Sequence, residues 1–216
     1  MDLRQCDVLF DMCVQDEYLG SQAAAPCLNS ESLIGNLKRL IAFARLTRQP
    51  MISCVDTRRS NQVDREFRHV SPDDNPENHK IGFSLLHDHC VVATDNFLCA
   101  PLDILQHTQQ AIFSKCHRDP FTNPKLDRVL TEMPARRFVV FGVPVEYSLR
   151  MLVLGLLRRS RKVAMIHDAC GYWSTSEATM VLRQLHVKGC EMLDTESFIQ
   201  LTTGGRAVHT LRARVA

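Results

Sequence analysis

Three residues draw attention first, for what their side chains can do and where they stand. Asp11 closes one apolar run, Lys115 closes another, and Ser148 stands six residues beyond Gly142, which closes a third. A carboxylate can take or give a proton. An ammonium can support negative charge on an oxygen. A hydroxyl can attack a carbonyl or hydrogen-bond to it. The plainer roles are an Asp that caps a turn and a Lys that faces solvent at a strand end. The three residues lie 104 and 33 positions apart along the chain, so only tertiary structure can gather them. Each falls at, or just beyond, the carboxyl end of a different expected strand. Neighbouring parallel strands run about 4.8 Å apart, close enough for three such ends to share a ligand-sized space.

The elements that must position them follow from patterning. Cys6 to Met12 reads as the first strand, and Leu33, Ile34, Leu37, Leu40, Ile41 and Ala44 make one apolar stripe of a helix that Asn29 or Ser30 caps. Met51 to Val55 is a second strand, and Gln109 to Ser114 a third. Asn123 caps a helix whose first turn carries Pro124. Arg137 to Phe141 is a strand stopped by Gly142, and Tyr147 to Arg159 a helix that puts Ser148 in its first turn. Lys162 to His167 and Cys190 to Leu193 are the last strands, with a helix between them that Gly189 closes. Strands alternating with helices predict an α/β fold: three layers, α/β/α, around a doubly wound, mainly parallel sheet of about six strands. The expected organisation is one domain over residues 1–201 and a C-terminal tail over 202–216. Ser60 to Leu86 is polar and lacks a period, as lids and binding loops do. Cys90 to Asp103 is ambiguous, with room for a short strand followed by a turn at Pro101.

The stretch Phe141-Gly142-Val143-Pro144-Val145-Glu146-Tyr147-Ser148-Leu149, followed by Val163-Ala164-Met165-Ile166-His167-Asp168-Ala169-Cys170, resembles the core signature of the isochorismatase-like hydrolases, also called cysteine hydrolases. In that family a strand ends in Gly, a cis peptide lies two residues on, and a Cys nucleophile stands six residues after the Gly. Here that residue is Ser148. The likeness runs from Cys6 to Phe198 and is thinnest from Ser60 to Gln109. It implies a Rossmann-like fold, a cis Val143–Pro144 bond, Asp11, Lys115 and Ser148 as catalytic residues, and Val143, Pro144, Tyr147 and Phe121 as residues that shape the site or its oxyanion hole. The family's first strand ends in Asp, followed by an apolar residue, Gln, Asn, Asp and Phe. Matched on Asp11, this chain keeps the Asp but not the Gln and Asn.

Serine in place of cysteine changes the chemistry. A hydroxyl is a far weaker acid than a thiol and needs a well-placed base, which an Asp of ordinary pKa, about 4, does not supply. Three routes follow: amide or urea hydrolysis through an ester, acid catalysis on an enol ether with Ser148 only binding, or a site that binds without turnover. The expected function is a hydrolase acting on a small molecule of the amide, urea or enol ether class. The alternative is a catalytically silent binding or scaffolding protein of the same fold. Cys13, Cys116 and Cys170 stand near strand ends, where a relocated thiol competes with the simpler role of a small buried apolar residue.

No cofactor is expected. Nicotinamidases of the family carry an Asp-x-His metal motif near Asp56, but Arg58 occupies the His position and a guanidinium does not ligate. His87-Asp88-His89-Cys90 lacks the i, i+4 spacing of a helical metal pair. The chain has 216 residues, 23% of them charged, with a net charge of +2 and its basic residues scattered, so neither nucleic acid nor membrane is an expected partner. A small-molecule ligand and further copies of the chain are. Nine cysteines, no pair spaced CxxC and no apolar leader suit free thiols in the cytoplasm or another reducing compartment.

Overall fold

A computed structural model describes residues 2–21, 23, 25–57, 76–92 and 100–204. The elements in chain order are β1 (Asp7–Met12), α1 (Asp16–Leu19), α2 (Ser30–Thr47), β2 (Met51–Asp56), α3 (Pro76–His79), β3 (His89–Val91), α4 (Ile104–His107) and β4 (Gln110–Lys115). The chain continues through α5 (Pro124–Glu132), β5 (Arg137–Gly142), α6 (Arg150–Arg158), β6 (Val163–Cys170), α7 (Thr175–Val187), β7 (Glu191–Leu193) and α8 (Thr195–Thr203). One sheet of seven strands runs β3-β4-β2-β1-β5-β6-β7, with every pairing parallel.

The strand beyond the expected six is β3, at the edge next to β4. It is three residues long and half-buried, so it lacks the apolar run that announces the central strands. β1, β2 and β4 are buried along their whole length, as strands covered on both faces must be. α2 packs on β6 and against α8, where Phe43 and Phe198 meet edge to face at 5.6 Å. α6 packs on β6 and α7. From β1 the chain lays β2 beside it, sets β3 at the edge, fills the place between them with β4, and then returns to lay β5 on the other side of β1. That reversal opens a crevice at the carboxyl ends of the central strands, where open α/β sheets keep their sites.

Local chemistry explains most boundaries. Asn123 accepts from the backbone N–H groups of Lys125 and Leu126 and starts α5 at Pro124. Ser174 caps α7, accepting from the N–H of Glu177. Asn29 stands at the head of α2 but spends its amide elsewhere, donating to the Cys170 carbonyl at 3.0 Å. α8 runs through Thr203, past the start of the expected tail at residue 202. The helix expected from Tyr147 to Arg159 begins instead as a π-helical turn, Val145–Leu149, that passes into α6. The Val143–Pro144 bond is cis.

Gly142 has φ of +117°, and a Cβ there would lie 2.1 Å from the Met12 carbonyl oxygen. Only glycine allows β5 to end this tightly against β1. In consequence the Val143 N–H reaches the Met12 carbonyl at 2.8 Å and the Val145 N–H reaches Gly171 at 2.9 Å, locking the turn that carries Ser148 between β1 and β6.

Candidate functional site

Two carboxylate–ammonium pairs lie buried at the carboxyl end of the sheet. β2 and β4 run in register, placing Asp56 beside Lys115. The Lys115 ammonium donates to Asp56 Oδ1 and, at 3.1 Å, to Ser148 Oγ. Asp56 Oδ2 accepts from the Tyr18 hydroxyl at 2.5 Å and from the Cys13 thiol at 3.3 Å. Gln15 fastens the Asp56 backbone in both directions, accepting from its N–H at 2.6 Å and donating to its carbonyl at 3.0 Å. Burial works against the Lys115 charge, but Asp56 outweighs it and holds the ammonium above the usual lysine value. Burial and then the Asp56 charge push the Cys13 thiol well up, so Cys13 stays protonated and donates.

The second pair belongs to Asp11. Its two carboxylate oxygens accept from the Lys80 ammonium at 2.7 and 2.8 Å, and Ser53 Oγ donates to Oδ2 at 2.7 Å. Both side chains are fully buried. Burial pushes the Asp11 carboxyl upward, and Lys80 and Ser53 offset that only in part. The counter-ion of Asp11 is Lys80, and the net direction is upward.

The sequence candidates therefore divide. Lys115 and Ser148 touch. Asp11 bonds to Lys80 and Ser53. Val143 and Pro144 form the turn before Ser148. Tyr147 is half-buried, its ring under the Arg118 guanidinium at 4.1 Å and 5.9 Å from the Trp173 ring. Phe121 lies against α6, where it fills the space above Gly155 and stacks under Arg159 at 3.9 Å. Cys116 lies 3.7 Å from the Thr57 hydroxyl, and the Cys170 thiol donates to the Ile166 carbonyl.

Asp56, Lys80, Tyr18 and Trp173 join the site region without having been singled out for it, and Cys13, weighed as a relocated thiol, enters it as a donor to Asp56. One signal was present. Matched on Gln15 rather than Asp11, the pattern Asp–apolar–Gln–Asn–Asp–Phe runs along Cys13-Val14-Gln15-Asp16-Glu17-Tyr18. The Gln then aligns, an aromatic ring fills the last place, and a thiol stands where the carboxylate would be. Lys80 gave no signal, because it lies in an aperiodic polar stretch.

The environment of Asp56 does not suit a metal ion, since both its oxygens already accept from protein donors. Arg58, which stands at the motif's His position, lies outside the described residues. Among the described residues no group of three or more His, Cys, Asp or Glu side chains is placed to hold one.

Comparison with known proteins agrees with this architecture. Residues 6–197 match the family model described as the Isochorismatase domain. An isochorismatase-like hydrolase from Alkaliphilus metalliredigens superposes with a TM-score of 0.71 at 16% identity, over 91% of this chain and 98% of that one. The MAR1 ribonuclease from Caenorhabditis elegans gives 0.66 at 16% identity, over 97% of this chain and 89% of that one. The YcaC gene product from Escherichia coli, described as an octameric hydrolase of unknown specificity, gives 0.63 at 11% identity, over 93% and 80%. No curated protein matches. At these identities the solved structures establish the shared fold.

Proposed function

This chain belongs to the isochorismatase domain family, and we propose that its Asp56–Lys115–Ser148 cluster binds a small amide, urea or enol ether and polarises it for hydrolysis. The observation that carries this reading is the Lys115 ammonium, hydrogen-bonded at once to Asp56 and to Ser148. Because Ser148 Oγ accepts from Lys115, its own O–H is left to donate to a substrate oxygen. With an amide or urea, the negative charge that develops on the carbonyl oxygen then lies beside a fixed cation among buried groups, where such stabilisation is strongest. Asp56 keeps Lys115 charged and in place. Ser148 acts here as a binding hydroxyl, since its side-chain partner is the Lys115 ammonium rather than a base, and the Asp11 carboxylate is held by Lys80. Attack on the carbonyl carbon of an amide or urea falls to water, whose proton passes to the departing nitrogen as the C–N bond breaks.

The test is hydrolysis of simple amides, ureas and enol ethers by the wild-type chain, Lys115→Met and Ser148→Ala. Turnover lost in Lys115→Met and weakened in Ser148→Ala supports the reading. Turnover indifferent to Lys115 overturns it. A second reading, a binding protein without turnover, is favoured by Cys13, a protonated thiol at the place where the aligned pattern has its carboxylate. Saturable binding that needs Lys115, with no product formed, selects that reading.

We also propose that the chain forms homo-oligomers. Leu28, Met180, Val187 and Leu201 are exposed on its surface, and one structural neighbour is described as octameric. A monomeric mass by light scattering at micromolar concentration would contradict this. No helix among the described residues is long and apolar enough to cross a membrane.

A further inference from the structure

We propose that Trp173 selects what the Lys115–Ser148 site holds, and that it selects a flat, conjugated molecule over a puckered one of the same size. This rests on the reading of Lys115 and Ser148 as ligand contacts. Trp173 is the single tryptophan of the chain and lies in the turn between β6 and α7. Its ring stands 5.9 Å from that of Tyr18 and 5.9 Å from that of Tyr147. Tyr18 ends on Asp56, while Tyr147 precedes Ser148 and has the Arg118 guanidinium over its ring. The three rings thus make a row whose two ends are tied to the two ends of the polar cluster.

Trp173 is held more firmly than a surface ring needs to be. Its indole N–H donates to the Ala25 carbonyl at 3.1 Å. Its backbone N–H, with that of Ser174, donates to Glu146 Oε1, each at 2.8 Å. Glu146 lies two residues before Ser148 in the same π-helical turn, so one carboxylate fastens the Trp173 loop to the backbone that presents Ser148. The ring is nevertheless only half-buried. A large ring fixed at both its backbone and its edge, with surface left free, presents a preorganised stacking face to a ligand whose polar end reaches Lys115. The tilted ring pairs, at 51° and 46°, leave Trp173 out of parallel stacking with either tyrosine, so its face is not already used in that way.

The test compares phenylurea with cyclohexylurea, and benzamide with cyclohexanecarboxamide, by titration calorimetry on the full chain. The flat member of each pair should bind about 3- to 10-fold tighter, the range an aromatic pair contributes beyond its buried area. Saturation should also change the emission of the single tryptophan. Trp173→Leu should level each pair, and Trp173→Phe should keep most of the preference. Glu146→Ala should lower the preference by freeing the loop, and Lys115→Met should weaken flat and puckered members alike. Equal binding of the two members by the wild type overturns the role of Trp173 and leaves the Lys115–Ser148 reading standing. So does a preference that survives in Trp173→Leu. Absence of any binding by the wild type, or binding indifferent to Lys115→Met, overturns that underlying reading and this inference with it. Should Trp173→Leu fail to fold by circular dichroism, the wild-type ratio, its emission change and Trp173→Phe decide the matter.

Discussion

Asp11–Lys80 and Asp56–Lys115 are built from the same two side-chain types, a short distance apart on one sheet edge, yet they are different devices. In the first, one ammonium spans both carboxylate oxygens and Ser53 completes the set, with all of it sealed from solvent. In the second, the ammonium is divided between a carboxylate and a hydroxyl, and the carboxylate is divided among a lysine, a tyrosine and a cysteine. A closed pair contributes to shape, because it can satisfy nothing beyond itself. An open pair ends on Ser148 and has a direction in which to engage a ligand. The contrast shows that a buried charge is informative about function only once its partners are known.

The largest expected effect comes from breaking the closed pair. Lys80→Met should leave Asp11 as an unpaired buried carboxylate and cost about 3–5 kcal/mol in chemical denaturation. A loss under 1 kcal/mol would show that Asp11 finds water or another donor, and the two pairs would then be alike. Lys115→Met should cost less, roughly 1–3 kcal/mol, because Asp56 keeps its bonds from Tyr18 and Cys13. Its larger consequence should be loss of ligand binding. If Lys115→Met destabilises more than Lys80→Met, the distinction between open and closed pairs fails.

A third ion cluster, at the opposite edge of the sheet, sharpens the comparison through pH. Burial opposes the Asp7 charge, but the guanidinium groups of Arg136 and Arg137 outweigh it and hold the Asp7 carboxyl below its usual value of 3.8. With the folded value below the unfolded one, Asp7 contributes stability above that unfolded value and loses it as pH falls toward the folded one. Asp11 has the opposite sign, since its folded value is raised: between 3.8 and that raised value, lowering the pH favours the folded state. Urea midpoints measured from pH 6 to pH 3 should therefore fall less steeply in Asp7→Asn than in the wild type. They should fall more steeply in Asp11→Asn. Either slope reversed would contradict the assigned partners. The smallest effect is expected at Cys13. Cys13→Ala removes one weak thiol donor and should change stability by about 1 kcal/mol or less, while Lys115→Met still abolishes binding in that background.

How much of this was legible beforehand depends on how local its cause is. Gly142, Asn123 and Pro124 act on their own neighbours in the chain, and their roles in ending a strand or starting a helix could be read directly. The buried central strands could be read from their apolar runs. β3, short and half-covered at an edge, was legible only as an ambiguous short strand from Cys90. Lys115 and Ser148 were legible as strand-end residues, and the structure brings them to 3.1 Å.

Which carboxylate Lys115 would face was decided by tertiary structure alone. Asp11 and Asp56 both end apolar strands and look alike as residue types. The sheet places β2 between β1 and β4, so Asp56 is the register partner of Lys115. The polar stretch that delivers Lys80 then takes up Asp11. The sequence by itself determined an alternating α/β chain with a strand that Gly142 stops ahead of Ser148, because periodicity and backbone sterics act over a few residues. The pairing of charges, and the row of Tyr18, Trp173 and Tyr147, depended on strand order and on loops meeting across the sheet edge. Such contacts join residues up to 155 positions apart and leave no local mark in the sequence.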